Sequence, residues 1–485
     1  MSEKIKIACD KVALLNPQGS LDLQPAVVSI EGTKISQVLR YTLEEFTSVA
    51  KEMKNEKQSQ QNVVLENHIL TPAFINSHTH LAMSFFRGVD VEKFTRLNVV
   101  EDLFFSLEKH LSFDDVKCFT TIGAYESLLN GVGFVWDHFY HGNAIAEALY
   151  EVGLCGVVAP TLQDLYGPFK DSWEKELDHT LNILKTQKFA DKGIFAAFGP
   201  HATDSVSKKL WLKITDLSEK TNLPVHVHVA QSGDEYKRII EREKKSPIHF
   251  LKDIGFLDAK LKALLVHAIF LDEKDFSFFD NKKHTLCWCP FSQLIFSFPA
   301  NVLNWEKNKV SWLVGTDCAA SNDSMNVQKE LRYLSGFPLQ AKAHSLEYEK
   351  FYKDSAQGCS KLVKKREQSW LSSASFRSPN WLLNKVWQGA SDLHPNLSVG
   401  VIEKNSLANL IAWDKNHPTL WPSESLRGFA FADCSQAIDN MMLSGSWRGE
   451  WGNFSRSLYL SNHYKTSRQE ADRRLKSLLK KVENS

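Results

Sequence analysis

The sequence predicts an α/β protein: a (β/α)8 TIM-type barrel with a small composite β-sandwich domain built from both termini. Three observations carry this. From about residue 70 onward, short apolar runs alternate with longer amphipathic stretches, the rhythm of strand–helix units in a parallel sheet. About eight such runs occupy roughly 310 residues, which suits a closed barrel. The two ends of the chain, 1–68 and 396–450, lack that rhythm and are instead rich in short β-like runs.

In chain order, residues 1–68 supply the N-terminal part of the β-sandwich through "KIKIACDKVALLN", "AVVSIEG", "KISQVLRY" and "NVVLENHILTPAF". The charged "KEMKNEKQSQQN" among them reads as an exposed loop. Residues 69–395 form the barrel, with strand-like "GVGFVWDH", "GLCGVVAP", "GIFAAFGPH", "PVHVHVA", "KALLVHA", "HTLCWCP" and "SWLVGTD". Helix-like segments such as "DSWEKELDHTLNILKTQ" and "SVSKKLWLKITDLSEKTN" separate them. "KDSAQGCSKLVKKREQSWLSSASFRSPN" reads as helix and loop with a solvated basic face. Residues 396–450 return to strands, and 451–485 form a helical tail in which "EADRRLKSLLKKV" is an amphipathic surface helix.

Composition narrows the function classes. A formal net charge of +1 offers no global field for nucleic acid or an anionic membrane. No window reaches the ~18 uninterrupted apolar residues of a membrane span. The start, "MSEKIKIACDKVALLNP", lacks a long apolar run and reads as a strand, not a secretory signal. The eight cysteines form no C-x-x-C pair, and free thiols fit a reducing compartment, so a cytoplasmic protein is expected. Cys287 and Cys289 would share a strand face and pack in the core. The expected partner is a small-molecule substrate; a homodimer is compatible with the sequence.

The polar residues that end the apolar runs carry the chemistry. "FINSHTH" ends in His78 and His80, which share a face if the segment is a strand. "FAAFGPH" ends in His201, "PVHVHVAQ" carries His226, His228 and Gln231, "ALLVHA" ends in His267 and "WLVGTD" in Asp317. A histidine after one apolar run is usually a satisfied core or cap residue. Five such endings in chain order are different, because a barrel gathers its C-terminal strand ends on one face. Imidazoles with one carboxylate converging there suit Zn²⁺ or another divalent transition ion.

Here the sequence resembles the amidohydrolase superfamily, specifically its chlorohydrolase and aminohydrolase branch of triazine hydrolases and nucleobase or nucleoside deaminases. "TPAFINSHTHLAMSFFRGV" is similar to that branch's "PGFVNTHTHLPMTLLRG", "FGPHATDSVS" to "PHAPYTCS", and "PVHVHVAQSGDEY" to "HIHVAETxxE". "LLVHAIFLDEKD" is similar to "LAHCVHLDDED", "CWCPFSQLIFSF" to "HCPxSNLKL", and "VGTDCAASNDSMNVQKELR" to "LGTDGAASNNxLDMFEEMR". "NLSVGVIEKNSLANLIAWD" matches the closing "LGSLEPGKLADLVVID", so the likeness runs from about 60 to 450. The resemblance implies one divalent metal held by His78, His80, His228 and Asp317, with Zn the expected ion and Fe the alternative. It implies that Asp317 also moves the water's proton to the leaving group, that His267 orients the attacking water and stabilises developing charge, and that His201 hydrogen-bonds substrate. His226 could also point inward, but the branch's pattern, which counts from His228 to Gln231, implies His228 as the ligand. The end of the fourth expected barrel strand, "FAAFGPH", offers no lysine, so a carboxylated-lysine bridge between two metals is not expected.

The pattern is broken at Gln231, where these deaminases usually carry a glutamate that shuttles a proton to a ring nitrogen. A glutamine can bind substrate but cannot supply that acid. Asp234 and Glu235 are candidate substitutes, although the first turn of the next helix is the more natural place for them. Val99 and Val100 replace a tryptophan–leucine pair, Gln293 replaces an asparagine, and "IFSF" follows where small and basic residues are usual, which implies an apolar or aromatic pocket. Asp137, His138 and His141 read as support behind the pocket wall. The expected function is a metal-dependent hydrolase acting on a C–N bond of a cyclic or amidine-like small molecule, releasing ammonia or an amine. The alternatives are dechlorination or cyclic-amide hydrolysis at the same site, or a catalytically impaired metal-binding relic.

Overall fold

The structure, a computed structural model, describes residues 4–55, 62–89, 99–295, 300–343, 378–395 and 397–483. Strands β1 (Lys4–Leu15), β2 (Leu21–Glu31), β3 (Lys34–Arg40), β4 (Asn62–Leu65) and β5 (His68–Pro72) open the chain. The middle contributes β6 (Phe74–His80), β7 (Val132–Phe139), β8 (Cys155–Leu162), β9 (Ile194–Ala196) and β10 (Gly199–Pro200). It continues with β11 (Val225–Val229), β12 (Ala263–His267), β13 (His284–Trp288), β14 (Trp312–Val314) and β15 (Asp317–Cys318). β16 (Leu410–Asp414), β17 (Ile438–Leu443) and β18 (Ser446–Arg448) follow.

The two ends of the chain meet in one sheet of order β18–β17–β16–β5–β1–β2–β3, with β4 also paired to β1. The link between the ends is the antiparallel pairing of β16 with β5, from Leu410↔Pro72 to Asp414↔His68. β1 changes partner along its length: its first half runs parallel to β4, and past a register shift it meets β5 at Val12↔Leu70.

The middle strands pair in parallel, in one sheet of order β10–β8–β7–β6–β15, with β9 also on β8, and a second of order β11–β12–β13–β14. An isolated parallel bridge, Phe198↔Val225, connects the two sheets at one side. At the other, the chain passes from β14 to β15, which pairs with β6 through Asp317↔Thr79 and Cys318↔His80. These strands are apolar without alternation because both faces are covered: β6, β7, β8, β11 and β12 are buried at every residue. "DSWEKELDHTLNILKTQ" forms the helix Trp173–Lys185, and the next helix-like segment forms Lys208–Thr221, capped by Ser207 accepting from the Leu210 N–H.

One expectation is corrected. Residues 51–55, read as exposed loop, are the last turn of the helix Leu43–Asn55. Phe46 and Met53 lie seven residues apart, two helical turns, so both reach the sheet while the charged residues face water. Residues 56–61 of that segment, 353–377 of the long basic segment and 296–298 of "IFSF" lie outside the described residues. The helix Asn462–Glu483 packs on the helix Phe113–Leu129, with Arg474 Nη1 2.8 Å from Asp115 Oδ1. Cys287 and Cys289 are buried, and the cysteines among the described residues are free thiols. No helix among the described residues is long and apolar enough to cross a membrane.

Candidate metal centre and active site

Alternation along β6 puts Asn76, His78 and His80 on one face. Asn76 fixes the neighbouring strand: its Nδ2 donates to Thr316 Oγ1 at 2.7 Å, and the Thr316 N–H donates back to Asn76 Oδ1 at 3.0 Å. Gly315 permits this approach, because a Cβ there would lie 2.7 Å from the His78 backbone nitrogen. Two residues on, Asp317 turns with a φ of 63°, and His267 leaves β12 with a φ of 71°. Left-handed backbone at non-glycine residues costs roughly 1–3 kcal/mol and persists only where the surroundings impose it. Both strained residues bring a polar side chain to the same place.

That place gathers His78, His80, His228, His267 and Asp317. His78 and His80 present their Nε2 atoms at 3.6 and 3.4 Å from Asp317 Oδ1. His267 Nε2 lies 4.0 Å from Asp317 Oδ2. The nearest ligand atoms of His78, His80 and His228 are all within 4.8 Å of one another, as are those of His78, His267 and Asp317. Tautomers make the case for a cation. His228 Nδ1 is 2.8 Å from the His201 carbonyl, and His80 Nδ1 is hydrogen-bonded to the His138 carbonyl. A carbonyl only accepts, so the Nδ1 atoms carry the protons and both Nε2 atoms hold lone pairs. Those lone pairs face each other at 3.3 Å, a contact that is repulsive unless a positive ion sits among them. The buried His78 Nε2 has no hydrogen-bond partner either. The donor set, imidazole nitrogens and one carboxylate, therefore fits a borderline-soft divalent ion. His226 lies one pleat deeper on β11, its Nε2 2.9 Å from His78 Nδ1, and so backs His78 from behind.

Electrostatics keep these groups ready to bind. Burial drives His78 down to about 3 and lowers His80 and His228 as well, so these imidazoles stay neutral at physiological pH. Burial alone would raise the Asp317 carboxyl, but the close imidazoles of His78, His267 and His80 outweigh it and keep it ionised. Ser292 Oγ donates to Asp317 Oδ2 at 2.6 Å and leaves Oδ1 facing the histidines. A pH dependence follows. Between the ordinary 6.5 and about 3, the unfolded chain takes up protons that buried His78 and His201 refuse. The metal-free protein is therefore expected to lose stability as pH falls below about 6.5. Urea unfolding at pH 7, 6 and 5 checks this; a midpoint that holds or rises would contradict it.

The cluster opens into a cavity of about 360 Å³, lined by His201, Gln231, Val99, Val100, His138 and Gln293 among others. His201 Nδ1 is 2.9 Å from Ser205 Oγ. The Gln231 N–H donates to Glu235 Oε2 at 2.8 Å, and Glu235 Oε1 accepts from Thr203 Oγ1. Glu235 is thus pinned beneath the loop, in the first turn of the helix Gly233–Glu243 with Asp234, and burial pushes its carboxyl up to about 8. Asp234, unlike Glu235, lines the cavity. Gln293 accepts from Trp288 Nε1 and from the Ala300 N–H, both at 2.8 Å, which ties the segment after β13 to that strand's end. Asp137 Oδ2 accepts the Leu81 N–H at 2.7 Å and supports the turn after His80. His141 lies apart, against Glu176, whose Oε1 accepts its backbone N–H at 2.8 Å. Sequence reasoning missed Ser292, Glu108 and the group Tyr166, Asp204 and Arg238. All five line the cavity, but they come from helices and loops without periodic signal.

A parallel-stranded α/β scaffold with a histidine–aspartate centre at its strand ends defines a class of metal-dependent hydrolases. The chain belongs to the amidohydrolase family, whose sequence pattern matches residues 69–353. It is a hydrolase acting on carbon–nitrogen bonds other than peptide bonds. It is 26% identical over 382 residues to a 5'-deoxyadenosine deaminase of Methanococcus aeolicus, covering 78% of this chain and 81% of that protein. Its fold is shared with a zinc-bound adenosine deaminase of Xanthomonas campestris at a TM-score of 0.76 and 17% identity, covering 99% of each chain. It is also shared with a zinc-bound atrazine chlorohydrolase of Arthrobacter aurescens at a TM-score of 0.74 and 16% identity, covering 98% of this chain and 99% of that one.

Proposed function

We propose that this protein is a zinc-dependent aminohydrolase that removes an exocyclic amine from a nitrogen heterocycle and releases ammonia. The observation that carries this reading is the pair of lone-pair-bearing nitrogens, His80 Nε2 and His228 Nε2, facing each other 3.3 Å apart beside Asp317. His78, His80, His228 and Asp317 would hold the ion. When bound, a divalent ion lowers the pKa of a coordinated water from about 15.7 toward 7. Asp317 takes the attacking water's proton and returns it to the departing amine, while Ser292 holds its second oxygen. His267 orients that water and stabilises the charge that develops on its oxygen. His201 hydrogen-bonds the heterocycle. The relative named a 5'-deoxyadenosine deaminase supports an aminated purine as the base. We read the middle strands as a closed barrel over 69–395, the flanking segments 1–68 and 396–450 as one β-sandwich domain, 451–485 as a helical tail, and the protein as cytoplasmic.

The remaining proton, due at the ring nitrogen, cannot come from Gln231. Asp234 is the carboxylate on that wall of the cavity best placed to replace it, because Glu235 is spent on the Thr203 hydroxyl and the Gln231 backbone. The test compares parent, Gln231→Glu and Asp234→Asn for ammonia release from aminated purines, pterins and triazines. A parent that deaminates, with at least ~10²-fold loss in Asp234→Asn, is the expected result for a missing general acid. Activity confined to Gln231→Glu would instead show a parent tuned to another leaving group, the second reading favoured by the shared fold with an atrazine chlorohydrolase. Silence from all three toward amines and chlorides alike would leave a metal-binding relic.

A further inference from the structure

Asp317 is held from two sides, and both holds lead back to Glu330. This residue lies in the first turn of the helix Val327–Ala343, is 1% exposed and takes no part in the ligand set or the proton transfers above. Its Oε2 accepts the Phe291 N–H at 2.9 Å, and its Oε1 accepts from Asn322 Nδ2, also at 2.9 Å.

The first arm reaches the side chain of Asp317. Phe291 is the second residue of the helix Pro290–Ile295, where a backbone N–H has no acceptor within the helix. Glu330 supplies that acceptor and fixes where the helix begins. The next residue, Ser292, is buried and donates to Asp317 Oδ2 at 2.6 Å. The second arm reaches the main chain. Asn322 Nδ2 also donates to the Thr316 carbonyl at 2.6 Å, in the peptide bond that leads into Asp317. That bond enters the left-handed turn at Asp317, where φ is 63°.

Both partners of Glu330 are donors, and a carboxylate accepts from both at once. A glutamine cannot. Its one oxygen serves one arm, and its amide hydrogens face the donor of the other. Asn322 cannot turn to compensate, because its oxygen would then face the Thr316 carbonyl.

We propose that Glu330 is a positioning residue, which acts through Ser292 and Asn322 to aim Asp317 at the histidine cluster and so sets how tightly the centre holds its ion. Glu330 touches neither ion nor substrate. This deepens the metal-centre reading and rests on it for the ion that Asp317 helps to hold.

The test is a double-mutant cycle in zinc affinity. Competition with a chromophoric chelator is measured on the full chain for the parent, Ser292→Ala, Glu330→Gln and the pair. Glu330→Gln should weaken zinc binding by ~10-fold or more. The double variant should bind zinc ~3-fold or more tighter than the product of the two single losses, because Ser292→Ala has already cut one arm. Parental affinity in Glu330→Gln, or losses that simply multiply, would overturn the proposal. A carboxylate that only supports the fold lowers the unfolding temperature without coupling to Ser292. If Glu330→Gln does not fold, Glu330→Asp, which keeps the charge but is one carbon shorter, enters the same cycle with the same outcomes. If the parent binds no zinc, the metal reading fails by itself. Crystal structures of the metal-free parent and variant then decide: Ser292 Oγ or Asn322 Nδ2 moved out of hydrogen-bond distance of its partner supports the positioning role, and unchanged surroundings of Asp317 overturn it.

Discussion

Asp317→Asn is expected to abolish turnover, by ~10² or more, while the protein stays folded. Asparagine keeps the shape and can still accept the Ser292 hydroxyl hydrogen bond at the position where Oδ2 now lies 2.6 Å away. What it loses is charge and the ability to carry a proton. The parent carboxylate is held ionised against its burial by the close imidazoles of His78, His267 and His80, an arrangement suited to a base that must be unprotonated before each cycle. A neutral amide also weakens the hold on a divalent ion, so the measurement has to separate the two effects. The variant is assayed with its zinc content determined in the same sample, and its fold is checked by circular dichroism. A zinc-loaded Asp317→Asn enzyme turning over at the parental rate would remove Asp317 from the proton pathway. An unfolded variant would show that its backbone, bent at a φ of 63° beside Thr79, depends on the carboxylate.

How much of this was legible in the sequence differs by element. The strand ends were, because parallel strands covered on both faces must be apolar along their length, so the histidines and Asp317 stand out as polar interruptions. His226 and His228 share a face at period two, and spacing alone could not say which meets the metal. The structure puts His228 Nε2 against His80 and His226 behind His78. The groups that tune the centre were harder to see. Ser292 matters only because the helix Pro290–Ile295 lays it against Asp317, a contact between residues 25 apart. Glu108 and Arg238 sit on helices whose charged residues look like ordinary solvated faces until the fold turns these two inward. The helix at 43–55 was misread at its end because lysine and glutamate dominate there, while one methionine, Met53, sets the buried face.

His80→Ala is expected to leave the purified protein without stoichiometric metal, and this is the largest binding effect we anticipate. His80 is 9% exposed, its Nδ1 is fixed by the His138 carbonyl, and its Nε2 meets both His228 Nε2 at 3.3 Å and Asp317 Oδ1 at 3.4 Å. Removing it takes away a pre-oriented lone pair that no other side chain can supply, because His138 spends its own nitrogens on Gly199 O and Thr161 Oγ1. Ser292→Ala, which touches a ligand without being one, should weaken metal binding by only ~10–100-fold. Elemental analysis after dialysis against a weak chelator gives the first readout, and thermal unfolding with and without added zinc the second. An ion that binds only the folded protein raises the unfolding temperature in proportion to the logarithm of its concentration over Kd. The parent should show that rise, Ser292→Ala a smaller one at limiting zinc, and His80→Ala none over the same range. A parent protein that carries no transition metal, and gains no thermal stability when zinc, iron or manganese is added, would sink the metal assignment together with the chemistry built on it.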